Sequence, residues 1–285
     1  MTRLVGDGDY RYEVVENWGR GSTEERLGLV SSVAVDSADR VYIFQRLPAP
    51  VMLVVDRDGT RLGSWGDDLF REPHGVWIGP DDTVFTTDTG DHTARQFTRD
   101  GTLLQTWGTP NQPGPPDLPF NRPTWAVVGP GGDLVVSDGY GQNRWHRFGV
   151  DGALIGSWGT TGSGPGEFLL PHAIWVDRDS RVYVTDRTNN RVQIFSPTGD
   201  YLTEWAGLRS PNQVFIADDT VYVAEGDRRI SVFARDGTVL ARWGEAGEEP
   251  GQFRDSPHSI WADARGDLYI SEVLGEDRLQ KFVRR

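Results

Sequence analysis

Residues 171–207 read PHAIWVDRDSRVYVTDRTNNRVQIFSPTGDYLTEWAG, and this stretch holds one whole unit of the fold. Val182-Tyr183-Val184 has the alternation of a half-buried strand, and further short apolar runs lie on either side of it. Thr198-Gly199 supplies the positive φ that a two-residue hairpin turn needs. Trp205-Ala206 closes the unit. The expected order is strand A, turn, strand B, loop, strand C, tight turn, strand D.

The same signs recur on both sides. A Trp-Gly or Trp-Ala pair stands at Trp18, Trp65, Trp107, Trp158, Trp205 and Trp243, at spacings of 47, 42, 51, 47 and 38 residues. Asp58-Gly59, Asp100-Gly101, Asp151-Gly152 and Asp236-Gly237 repeat the turn. These spacings are those of a four-stranded propeller blade, whereas a β-sandwich leaves the repeat unexplained. The expected fold is therefore a six-bladed β-propeller forming a single domain over residues 1–285. Five blades have the full strand order. The sixth takes strands A to C from Ser259–Val283 and strand D from Tyr10–Trp18, so that an N-terminal strand completes the C-terminal blade and removes the exposed sheet edges. The Gly/Pro-rich stretch Thr109–Pro119 is an inter-blade loop, and no helix is expected.

Composition narrows the function. A net charge of −13 argues against a nucleic-acid partner, which needs clustered cations. No apolar run approaches the ~18 residues of a membrane span. The absence of cysteine removes thiolate chemistry and disulfides; with no basic-then-apolar leader in Met1–Tyr10, it leads us to expect a cytoplasmic protein.

Overlaying the units exposes two columns. At the start of strand A stand Ser31, His74, Thr124, His172, Asn212 and His258, with histidine in alternate units. Strand A is innermost in a propeller, and alternate blades of six are about 120° apart, so three imidazoles should converge at the channel mouth. Three histidines with a fourth position open form a catalytic zinc arrangement, although imidazole also suits iron, cobalt or manganese. The plainer account is that Pro-His merely begins this strand: Pro73, Pro171 and Pro257 precede the histidines, but Pro123 and Pro211 do the same in units without one. His92 and His146 fall outside the column and are expected to be structural.

The second column, at the end of strand B, is Arg46, Thr89, Gly139, Arg187, Gly226 and Val273. Arg46 and Arg187 are candidate carboxylate forks in an acidic protein. Tyr140, between Gly139 and Gly141, is a candidate general base. The acids Asp88, Asp138, Asp186, Glu225 and Glu272 recur near Arg95, Arg144, Arg191, Arg229 and Arg278, and are expected to be architectural ties.

Pro73-His74-Gly75, Pro171-His172, Pro257-His258, Ser137-Asp138-Gly139-Tyr140 and Asp186-Arg187-Thr188-Asn189 together resemble the peptidyl-α-hydroxyglycine α-amidating lyases, and the repeat resembles the NHL repeat. The resemblance spans nearly the whole chain. It implies zinc held by His74, His172 and His258, Tyr140 as catalytic tyrosine, and Arg46 and Arg187 as active-site arginines. The implied reaction cleaves an N-acyl hemiaminal to an amide and glyoxylate, on a peptide-like or small substrate bearing a carboxylate. Two departures bear on substrate and calcium. Ser259 stands where the family has an aspartate that binds structural calcium, and Ser256 where it has a methionine. Two other classes fit a propeller. One is a non-catalytic NHL interaction scaffold; the other is a lactonase-like hydrolase, whose carboxylate-held calcium does not match a histidine-rich column without acids.

Overall fold

The computed structural model describes residues 3–19 and 26–285; Met1 and Thr2, part of the stretch read for a leader, lie outside them. It is an all-β six-bladed propeller, and no helix occurs among the described residues. Five of the blades are four-stranded sheets in simple A-B-C-D order, because the chain reversals within them are short.

The chain forms two compact units. One comprises Met1–Leu69 with Phe215–Arg285, and the other Phe70–Val214. The first holds the blade Val30–Val35, Val41–Gln45, Val51–Val55 and Arg61–Trp65. It also holds the sheet that joins the termini, in which Tyr10–Val15 pairs with Leu279–Arg284. That sheet has five strands rather than the expected four, because Leu4–Asp7 adds an outer hairpin strand against Tyr10–Val15. Leu4–Asp7 has too little alternation to announce itself in the sequence. The second unit holds three complete blades, which begin at Pro73, Trp125 and Pro171. Strand A of the fifth blade, Pro211–Ala217, runs from one unit into the other.

Strand B is buried along its whole length, as in Val41–Gln45 and Val182–Asp186, while strand D is mostly exposed or half-buried, as in Tyr201–Trp205. Trp145 and Trp158 stack with ring centroids 4.2 Å apart, tying strands C and D of one blade. The recurrent tryptophan thus packs the outer part of a blade, where a large ring buries most surface per residue.

Only part of the acid–arginine expectation holds. Asp186, Glu225 and Glu272 do pair with Arg191, Arg229 and Arg278. Arg95 pairs instead with Asp91, and Arg144 with Asp117. Four of the acids have another kind of partner in common, since each accepts a backbone N–H from a residue 17 positions earlier. The pairs are Arg71 to Asp88, Asn121 to Asp138, Leu169 to Asp186 and Asp255 to Glu272. These buried carboxylates hold the loop that leads into strand A, satisfying amides that no strand can pair.

Candidate metal centre

All six residues of the first column are buried. Four of them, Ser31, His74, His172 and His258, sit at a bulge. Pairing with strand B shifts between Val30 and Ser32, Pro73 and Val76, Pro171 and Ala173, and Pro257 and Ser259. A bulge carries an unpaired extra residue and re-aims its side chain. The preceding proline fits the first position of a strand, since it offers no N–H to the ladder.

Each imidazole is fixed by the same device. Nδ1–H of His74 donates to the carbonyl of Thr124 (2.7 Å), that of His172 to Asn212 (2.8 Å) and that of His258 to Ser31 (2.6 Å). The acceptors are the non-histidine members of the column. A strand-B hydroxyl donates to each of the same carbonyls: Thr87 to Thr124 (2.8 Å), Thr185 to Asn212 (3.3 Å) and Ser271 to Ser31 (3.3 Å). Thr87 and Thr185 also accept the N–H of the residue after the histidine, from Gly75 (2.9 Å) and Ala173 (2.7 Å). With the proton held on Nδ1, Nε2 presents a lone pair, and this outer hydrogen bond is typical of metal-ligating histidine. The hydroxyls were missed in the sequence, although the recurrent Thr-Asp, Thr-Asp and Ser-Glu at the end of strand B in the three histidine blades marks them.

The ligand atoms of His74, His172 and His258 lie within 4.8 Å of one another, a cluster that could hold a divalent metal ion. The donor set fits: three imidazoles and no carboxylate, each with Nδ1 against a backbone carbonyl. In one unit the rings of His74 and His172 are 4.7 Å apart, and the Tyr140 hydroxyl lies 3.3 Å from Nε2 of His74 and 3.1 Å from Nε2 of His172. Tyr140 therefore lies beside the imidazoles of His74 and His172. Its flanking glycines answer to close approach rather than to backbone angle. A Cβ on Gly139 would meet the Pro171 carbonyl oxygen at 2.0 Å, and one on Gly141 the Asn121 carbonyl oxygen at 2.1 Å.

Arg46 and Arg187 are half-buried and occupy equivalent positions, donating their backbone N–H to Leu29 (2.7 Å) and Leu170 (3.0 Å). Arg187 Nε also donates to Ser210 Oγ at 3.2 Å. Ser259 is buried, and its hydroxyl accepts the Val33 N–H at 3.1 Å. His92 and His146, the histidines outside the column, each have hydrogen-bond partners elsewhere in the fold. His92 Nδ1 accepts the Arg122 N–H at 3.1 Å, and buried His146 bridges Ser157 (2.7 Å) and Asp138 (3.3 Å).

Residues 168–195 match the NHL repeat family. The human NHL repeat-containing protein 3 is 32% identical over 96% of this chain and 84% of its own length. The Drosophila melanogaster peptidyl-alpha-hydroxyglycine alpha-amidating lyase 1 is 27% identical over 91% of this chain, which spans 58% of that protein. Among solved structures, a streptogramin B lyase superposes with a TM-score of 0.67 at 12% identity, covering 99% of this chain and 98% of that one, a likeness of fold. With this degree of identity along nearly its whole length, the chain belongs to the family of NHL repeat-containing protein 3.

Proposed function

We propose that the protein is a metal-dependent lyase cleaving an N-acyl hemiaminal of the α-hydroxyglycine type into an amide and an aldehyde such as glyoxylate. The observation that carries this reading is the Tyr140 hydroxyl lying between Nε2 of His74 and Nε2 of His172, whose Nδ1 protons are committed to carbonyls. Relatives named as amidating lyases support it.

His74, His172 and His258 would hold the ion through Nε2, most simply zinc, and the ion when bound supplies Lewis-acid polarisation of a substrate oxygen. Tyr140, acting as its phenolate, takes the proton of the substrate hydroxyl as the C–N bond breaks. The hydroxyl-bearing carbon becomes the aldehyde, the bond's electron pair leaves on the amide nitrogen, and the proton ends there. Arg46 and Arg187 hold the carboxylate, for which a guanidinium fork is suited. No thiolate or serine nucleophile is needed.

The test is direct. Zinc-loaded protein incubated with N-benzoyl-α-hydroxyglycine should release benzamide and glyoxylate in equal amounts, faster than the uncatalysed rate. No acceleration with either this substrate or a short peptidyl-α-hydroxyglycine would overturn the proposal.

A further inference from the structure

One cation, Arg122, stands beside Tyr140, and neither column contains it. The Arg122 guanidinium carbon lies 5.3 Å from the centroid of the Tyr140 ring. Three constraints put it there. Asn121 donates its N–H to Asp138 Oδ2 (2.8 Å), Arg122 donates its own to His92 Nδ1 (3.1 Å), and Gly141 packs against the Asn121 carbonyl so closely that no Cβ fits. The Arg122 backbone is held at φ +66°, a left-handed conformation that a non-glycine residue keeps only where its surroundings demand it. The loops carrying Arg122 and Tyr140 are thus built against each other.

The side chain itself is exposed, and its ion pair is a single contact to Glu72 at 3.3 Å, with both partners more than two-fifths exposed. Such an exposed pair is weak, so a bound carboxylate can replace it at little cost. Arg122 and Glu72 hold equivalent positions, two residues before Thr124 and His74. The N–H of Thr89, a second-column residue, donates to the Glu72 carbonyl as the N–H of Arg187 donates to Leu170. Arg122 therefore shares its rim with Arg187, one of the two arginines already assigned to the substrate.

We propose that Arg122 is a specificity-determining residue, docking a substrate carboxylate beside Tyr140 and exchanging Glu72 for it. This rests on the lyase reading for the identity of the substrate, although not for the presence of an anion site. A merely structural Arg122, clamping the Tyr140 ring, would affect charged and neutral ligands alike.

The experiment compares N-benzoylglycine with N-benzoylglycinamide. Neither has the hydroxyl needed for reaction, and their binding to the full, zinc-loaded chain is measured by calorimetry; turnover of the corresponding α-hydroxy compounds is followed in parallel. The wild type should favour the carboxylate. A hydrogen bond to a charged group contributes about 1.5–3 kcal/mol, so Arg122→Ala should reduce that preference by roughly tenfold to a hundredfold. Arg122→Lys should retain part of it, and Glu72→Gln should tighten carboxylate binding a few-fold by removing the competitor. Binding of the amide should change little in any variant. An unchanged carboxylate-to-amide ratio in Arg122→Ala overturns the inference, whatever the turnover. Selective binding lost in that variant, with no turnover by the wild type, supports the anion site and sinks the lyase reading instead.

Discussion

The Nδ1–H of His172 donates to the backbone carbonyl of Asn212 over 2.8 Å, and Thr185 donates its hydroxyl to the same oxygen. Thr185 also accepts the N–H of Ala173, so one hydroxyl ties the bulge to the carbonyl that orients the ring. Thr185→Val leaves that buried amide without its acceptor and should cost about 1–3 kcal/mol in urea unfolding. It should also weaken metal binding by roughly 10- to 100-fold, the usual effect of losing an outer partner of a ligand. Thr185→Ser should restore most of both. Unchanged metal affinity in the valine variant would show that the hydroxyl serves the strand and not the ligand.

Metal analysis of the purified protein should find about one transition-metal ion per chain, most simply zinc. Each of His74→Ala, His172→Ala and His258→Ala should lose it, because three ligands leave no redundancy. All three variants should remain folded by circular dichroism, since strand pairing and buried aromatic and aliphatic side chains hold the blades. In small zinc domains, by contrast, the metal is the fold. Full occupancy in every variant would remove the metal centre from the account.

Tyr140→Phe keeps the ring and its contact with Arg122 but loses the hydroxyl near His74 and His172. The expected result is unchanged melting and metal content with kcat lowered by roughly 10²- to 10⁴-fold, the size of a lost general base. Wild-type turnover in this variant would assign proton transfer to another group.

Glu272 carries a pH dependence whose sign follows from its position. Burial pushes its carboxyl up, against the opposing pull of the Asp255 N–H and the Arg278 guanidinium. The folded value then lies above the unfolded one, so the native state holds the extra proton. Its contribution is fully present below the ordinary glutamate range, about 4.3, and is lost as pH rises through the raised value. Urea unfolding across that window should show this fall in the wild type and a flatter profile in Glu272→Gln. Identical slopes would mean the carboxyl does not titrate there.

Much of the site was legible because the repeat supplies its own ruler. Ser31, His74, Thr124, His172, Asn212 and His258 form a column because each stands at the start of strand A in its unit, and the units are marked off by Trp-Gly or Trp-Ala pairs and tight turns. The glycines beside Tyr140 suggested an unusual backbone path, whereas Gly139 and Gly141 are required by the close carbonyls of Pro171 and Asn121. Arg122 was not legible. It precedes Pro123-Thr124 in a unit without histidine, and nothing in its neighbourhood of sequence marks a ring placed against it from 18 residues further along.

By itself the sequence determined the blade count, the strand order, the sheet shared by the termini and the register of the histidine column. These depend on alternation, turn residues and spacing, which act within a few residues. Only the tertiary structure decided which nitrogen of each histidine carries its proton, which carbonyl receives it and which acid meets Arg95 or Arg144. Those choices depend on partners reached by packing. The Asn212 carbonyl is 40 residues from His172, Thr124 is 50 from His74, and Ser31 is 227 from His258, and a hydrogen bond is selected by distance in space, to within a few tenths of an ångström.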